Sequence, residues 1–112
     1  MEIVEGRVGD VAILRLHGRL VYEDGYDALR QALSRVLGEG CTKVLLNLDG
    51  VTYLDSAGVG LIAYKYVTVC RHGGQLKLCN LRRASHRVLN ITKLLTIFES
   101  FENEEDAVKS FE

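Results

Sequence analysis

Apolar residues recur along this chain with two periods, and the switches between them mark its elements. Ile3 to Val8 and Val11 to His17 have strand character, and Gly9-Asp10 between them fits a tight hairpin turn. Val11-Ala12-Ile13-Leu14-Arg15-Leu16 is nearly all apolar, which predicts a central strand. Gly18-Arg19-Leu20-Val21 then leads into a helix with Asp24 as its expected N-cap and Asp27 in its first turn. Leu29, Ala32, Leu33, Val36 and Leu37 follow at helical spacing, and Gly38 and Gly40 end it. Val44 to Leu48 reads as a strand covered on both faces, and Asp49 to Leu54 as a turn. A second helix is predicted from Ala57 to about Arg71, burying Leu61, Ile62, Tyr66 and Val69 and stopping at His72-Gly73-Gly74. Gln75 to Cys79 alternates as a half-exposed strand. A third helix spans roughly Arg82 to Ile91, with Val88, Leu89 and Ile91 apolar. Phe98 and Phe101 return to the core, and Glu104-Glu105-Asp106 opens a last short helix with its acids at the favourable end.

The order β-β-α-β-α-β-α-α implies an α/β sheet with parallel pairs and right-handed crossovers. With 112 residues, no repeat, no low-complexity tract and no proline, the chain reads as one domain, 1–112. A hydrophobic share of 47% is that of a globular chain. The formal net charge of −1 argues against a general nucleic-acid binder. No apolar run approaches the roughly 20 residues a membrane helix needs, so no membrane insertion is expected. The acidic start Met1-Glu2-Ile3-Val4-Glu5 has no signal-peptide pattern, which makes the cytoplasm the default location. Cys41, Cys70 and Cys79 lack CxxC spacing, and His17, His72 and His86 form no HxxxH. The cysteines read as buried, reduced thiols, with no metal and no cofactor.

Charge is uneven. Ser56 to Phe98 holds no acid but contains Lys65, Arg71, Lys77, Arg82, Arg83, Arg87 and Lys93, whereas Glu99 to Glu112 is acidic. This is either an ordinary solvated surface or a weak docking face for an acidic partner or anionic membrane.

The chemistry concentrates at Leu54-Asp55-Ser56-Ala57-Gly58-Val59-Gly60, a strand-to-helix turn with a serine at the helix start. A serine there can cap the helix. A phosphate on it would meet free N–H groups at the positive end of the helix dipole, so the site can take on charge without breaking the fold. Gly58-Val59-Gly60-Leu61-Ile62-Ala63 fits the dinucleotide pattern G-x-G-x-x-A. However, the six-residue turn before the serine and the lack of a carboxylate near position 80 count against that reading. Ser56-Ala57-Gly58 is half of a nucleophile elbow, but Leu54 holds the first glycine position and no acid follows until Glu99. There is no G-K-[ST] for a P-loop. An enzyme is therefore not expected.

Leu48-Asp49-Gly50-Val51-Thr52-Tyr53-Leu54-Asp55-Ser56-Ala57-Gly58-Val59-Gly60-Leu61 closely resembles the signature of the STAS domain, the sulfate-transporter and anti-sigma-factor-antagonist family. Gly18-Arg19-Leu20 resembles that family's Gly-x-Leu turn. Leu89-Asn90-Ile91-Thr92-Lys93-Leu94 and Phe98-Glu99-Ser100-Phe101 to Ala107 resemble its C-terminal pattern. The resemblance implies a mixed four- to five-stranded sheet with helices mainly on one side. It also implies an anti-sigma-factor antagonist phosphorylated at Ser56, whose partners are an anti-sigma factor of the GHKL serine-kinase type and a PP2C-type phosphatase. Asp55, Ser56, Gly58 and Val59, with Glu23 and Asp24, are expected on the partner-binding rim. In this picture Gly58 and Gly60 keep the helix start low, and Val59 offers an apolar contact. Many phosphorylated members carry an acid straight after the Gly-x-Leu turn, where this chain has Val21. The alternative within the family is a STAS subunit of a phospholipid-transport ABC system or a stress-signalling scaffold.

Overall fold

A computed structural model describes residues 1–91, 93 and 97–112. Strands β1 (Glu2–Val8) and β2 (Val11–Leu20) form the expected antiparallel hairpin, with Gly9 at φ +60° in its turn. Helix α1 (Tyr26–Gly38), strand β3 (Lys43–Leu54), helix α2 (Ser56–Arg71) and strand β4 (Gln75–Cys79) follow. Helix α3 (Arg83–Ile91), a two-residue strand β5 (Ser100–Phe101) and helix α4 (Glu104–Lys109) complete the chain. The sheet order is β1-β2-β3-β4-β5, with all pairs after the first parallel. Thr92 and Leu94, part of the expected C-terminal pattern, lie outside the described residues.

The period-two pattern sorts the sheet into two faces. Ala12, Leu14, Leu16, Val44, Leu46, Leu48, Leu76 and Leu78 point to one side. There they pack on Leu29, Leu33 and Val36 of α1, Ile62 and Val69 of α2, and Leu89 of α3. Val11, Ile13, Leu45 and Cys79 point to the other side, where Ala107 of α4 and Phe111 cover them. Three helices thus share one face and one short helix the other. No helix among the described residues is long and apolar enough to cross a membrane.

Four expectations are corrected. Asp49 to Leu54 is strand, not turn: His17, Gly18, Arg19 and Leu20 of β2 pair with Gly50, Val51, Tyr53 and Leu54, around two bulges. Gly50 sits where the bulged backbones approach, since a Cβ there would lie 2.6 Å from the Leu16 carbonyl oxygen. The cap of α1 is Gly25, at φ +88°, with no side-chain bond. A Cβ at Gly25 would stand 2.2 Å from the Arg19 carbonyl oxygen, and Asp24 instead closes a tight turn with Val21 through two backbone hydrogen bonds. Strand β4 is buried on both faces, Lys77 included. The Lys77 Nζ donates to the Ser110 carbonyl and hydroxyl oxygens at 2.9 Å and lies 4.6 Å from the Phe111 ring centre. Of the cysteines only Cys79 is buried, its thiol pushed up to about 12 by desolvation; Cys41 is half-buried and Cys70 exposed.

Helix α4 is held to the sheet at both ends. Asn103 caps it by accepting the Asp106 N–H at 2.8 Å. Glu104 accepts two hydrogen bonds from Arg15, at 2.8 and 3.0 Å, and one from the Asn47 amide at 2.6 Å. The Arg15 hydrogen bond, then that of Asn47, hold the Glu104 carboxyl below its ordinary range. A carboxyl depressed by folding adds stability above its unfolded pKa and loses it as pH falls through the folded value. Glu104→Gln is therefore expected to lower stability by about 1 kcal/mol at neutral pH. The gap to the wild type should close as the pH drops below the usual carboxylate range. Urea unfolding at neutral and acidic pH measures it, and a gap that widens in acid would contradict this account.

Candidate functional site

Because β3 continues to Leu54, it runs directly into the serine turn. Asp55 has extended backbone, with φ −107° and ψ −179°, and is the N-cap of α2. Its Oδ1 accepts the Gly58 N–H at 2.9 Å, and its Oδ2 accepts the Tyr22 N–H at 3.1 Å. The Asp55 N–H donates to the Leu20 carbonyl at 3.4 Å. One carboxylate thus caps the helix and fastens the serine turn to the loop of residues 21–25 between β2 and α1. That loop carries Tyr22, Glu23 and Asp24, all exposed.

Ser56 is consequently not the cap but the first residue of α2, exposed and without a side-chain hydrogen bond among the described residues. Relieved of capping, its hydroxyl is open to solvent. The Val59 N–H is taken by the Asp55 carbonyl and the Gly58 N–H by the Asp55 side chain. This leaves the Ser56 and Ala57 N–H groups as the open donors of the first turn.

The expected rim is only partly at the surface. Ser56, Glu23 and Asp24 are exposed and Asp55 is half-buried, and the Asp55–Tyr22 bond brings their two segments together. Gly58 and Val59 are buried instead. A Cβ at Gly58 would lie 2.5 Å from the Leu20 carbonyl oxygen and 2.9 Å from side-chain carbons of Leu20 and Leu54. Gly58 therefore lets α2 sit tightly on the ends of β2 and β3, and Val59 packs into the same core. The helical period turns Gly58, two positions after Ser56, toward the sheet, and Val59, three positions on and nearer the Ser56 side, is buried by the core residues packed around it. The direct strand-to-turn passage removes one objection to a dinucleotide loop. The space at Gly58 is filled by Leu20 and Leu54, however, and admits no phosphate.

Val21, the residue straight after the Gly18-Arg19-Leu20 turn, is buried, its N–H bonded to the Asp24 carbonyl at 2.8 Å. Two features escaped the sequence reading: Tyr22, exposed with its ring centre 5.8 Å from that of Tyr26, and Tyr64 on the exposed face of α2 that Gly60 shares. The helical spacing of Tyr64 from Ser56 and Gly60 was the available signal.

Asp55→Ala is expected to cost about 1–2 kcal/mol, for the lost cap and the lost Tyr22 bond together. Asp55→Asn, which keeps an acceptor oxygen, should cost less. Urea midpoints for both decide it, and an unchanged midpoint for Asp55→Ala would remove Asp55 as the tie between the two segments.

A family profile described as STAS domain matches residues 3–107. Over 102 residues the chain is 28% identical to an anti-sigma F factor antagonist of Paenibacillus polymyxa, covering 91% of this chain and 87% of that protein. Among solved structures it resembles TM1081 of Thermotoga maritima with a TM-score of 0.90 at 25% identity, covering 96% of this chain and 92% of that one. It also resembles the phosphorylated form of the Bacillus cell fate determinant SpoIIAA, with a TM-score of 0.78 at 21% identity. That match covers 99% of this chain and 100% of the other.

Proposed function

The chain belongs to the STAS domain family, and from that premise we propose that it is an anti-sigma-factor antagonist switched by phosphorylation of Ser56. Unphosphorylated, it docks on an anti-sigma factor that is itself a GHKL-type serine kinase and so frees a sigma factor. The kinase phosphorylates Ser56 and lets go, and a PP2C-type phosphatase restores the hydroxyl. The chain acts by binding in the cytoplasm and catalyses nothing itself.

One observation carries this reading: Ser56 stands exposed at the first turn of α2, free of the capping duty that Asp55 performs, beside two open N–H groups. A phosphoacceptor needs a reachable hydroxyl and a place where the added charge is tolerated. The helix N-terminus supplies the second. The relative in Paenibacillus polymyxa, named as an antagonist, supports the choice of partner. The partner-facing rim on this reading is Ser56 with Asp55, Tyr22, Glu23 and Asp24, and Gly58 and Val59 hold it up from beneath.

The test is capture from host lysate with the wild-type chain as bait, followed by ATP addition to the captured material. A GHKL-type kinase retained by the bait, and phosphate located on Ser56 by mass spectrometry, are the expected results. Retention of ABC-transporter subunits in place of a kinase would overturn the proposal in favour of a lipid-transport subunit.

A further inference from the structure

Helix α2 contains a glycine that the fold itself does not require. Glycine in a helix interior is unfavourable relative to alanine, because it holds more backbone freedom to lose. Gly58 and Gly74 have a visible reason to be glycine, since an added Cβ at Gly74 would lie 2.4 Å from the Thr42 carbonyl oxygen. At Gly60 an added Cβ meets nothing within 4 Å. The bare backbone there faces outward, one helical turn from Ser56 and about 6 Å along the axis.

Gly60 lies in a groove of about 430 Å³ between α1 and α2. Tyr26, Arg30 and Ser34 form one wall; Leu61, Tyr64 and Lys65 form the other. Tyr64 in this groove is 68% exposed, and Val67, one turn on along α2 and outside the groove, is 46% exposed, so apolar surface runs along the helix from the Ser56 end. The charges in the groove are unequal. Arg30 pairs with Asp27 at 3.3 Å, whereas the Lys65 ammonium donates to the Ser34 hydroxyl at 3.0 Å and has no carboxylate partner among the described residues. A protein interface of ordinary size takes about 20–30 residues a side. The loop of residues 21–25 and the turn at 55–56 supply far fewer, so a protein seated over Ser56 must extend onto neighbouring surface.

We propose that this groove is the second half of the kinase-docking surface. It takes a kinase segment that comes close to the backbone at Gly60, lays an apolar side chain between Tyr26 and Tyr64, and sets a carboxylate against Lys65. The proposal rests on the antagonist reading above. A glycine unused by the fold keeps open the space a partner enters, and the Lys65 ammonium, with no carboxylate partner among the described residues, selects an acidic group in that partner.

The kinase recovered with the wild-type bait, purified and saturated with ADP, is the probe. Titration calorimetry should show Gly60→Leu and Lys65→Glu each weakening binding at least tenfold. Gly60→Ala should raise the melting temperature by a few degrees, since its methyl meets open space. Wild-type affinity in a folded Gly60→Leu variant would overturn the groove while leaving Ser56 as the switch. Should Gly60→Leu fail to fold by circular dichroism, Lys65→Glu decides: a tenfold loss supports the groove and unchanged affinity overturns it. A wild-type chain that binds no kinase overturns both this proposal and the reading it rests on.

Discussion

Replacing Ser56 with glutamate is expected to weaken binding to the anti-sigma kinase a hundredfold or more, while Ser56→Ala binds as tightly as the wild type and resists ATP-driven release. The hydroxyl sits at the exposed start of α2, where a docked partner must cover it. A carboxylate or phosphate at that point is covered too. An unpaired charge taken from water into an interface costs several kcal/mol, and each 1.4 kcal/mol is a factor of ten in affinity. Phosphate, with nearly two charges, should act more strongly than glutamate with one. The same charge disturbs the free chain little. The open N–H groups of the first turn and the helix dipole favour an anion there by about 0.3–1 kcal/mol. Repulsion from neighbouring Asp55 offsets part of that, and the Asp55 carboxylate stays engaged with the Gly58 and Tyr22 N–H groups. Calorimetry of both variants against the purified kinase, with melting curves alongside, separates the effects. A folded Ser56→Glu variant with wild-type affinity would end the charge-switch account.

Gly58→Val is expected to destabilise the fold by about 3 kcal/mol, a large fraction of the 5–15 kcal/mol that holds a domain together. The first carbon of any side chain there meets the Leu20 carbonyl oxygen at 2.5 Å, and a backbone oxygen inside a paired strand cannot move aside cheaply. The branched carbons would also press on Leu20 and Leu54, both buried. Helix propensity gains a few tenths of a kcal/mol from losing glycine, far less than this cost. The urea midpoint should fall sharply, and kinase affinity should fall only as far as the folded fraction does. Unchanged stability with lost binding would return Gly58 to the rim. The contrast with Gly60 on the same helix, where an added Cβ would meet nothing within 4 Å beyond the helix's own backbone, makes the pair a direct comparison of packing with docking.

The element order apart from the two-residue strand β5, the hairpin at Gly9-Asp10 and the inward stripes of α1 and α2 were legible in the sequence because they depend on local periods. Alternation at two sorts Leu14 from Ile13, and spacing at three and four gathers Leu29, Leu33 and Val36. The serine turn was legible too, since Leu-Asp-Ser-small-Gly is a run of adjacent residues. Roles that depend on distant contacts were not. Asp49-Gly50 has the composition of a turn, and only the bulged pairing with His17 and Gly18 makes it strand. Asp24 and Ser56 both have the chemistry of a cap. The Arg19 carbonyl beside Gly25, and the reach of Asp55 to two amides, gave the capping positions to their neighbours. Lys77 reads as a solvent-facing residue until Ser110 and Phe111 fold over it.

The sequence by itself determined the class of fold and the place of the Ser56 turn, both of which follow from local pattern. The tertiary structure decided which residues around Ser56 face solvent and which face the core. That choice is made by the close packing of α2 at Gly58 on Leu20 of β2 and Leu54 of β3, contacts between segments far apart in the chain.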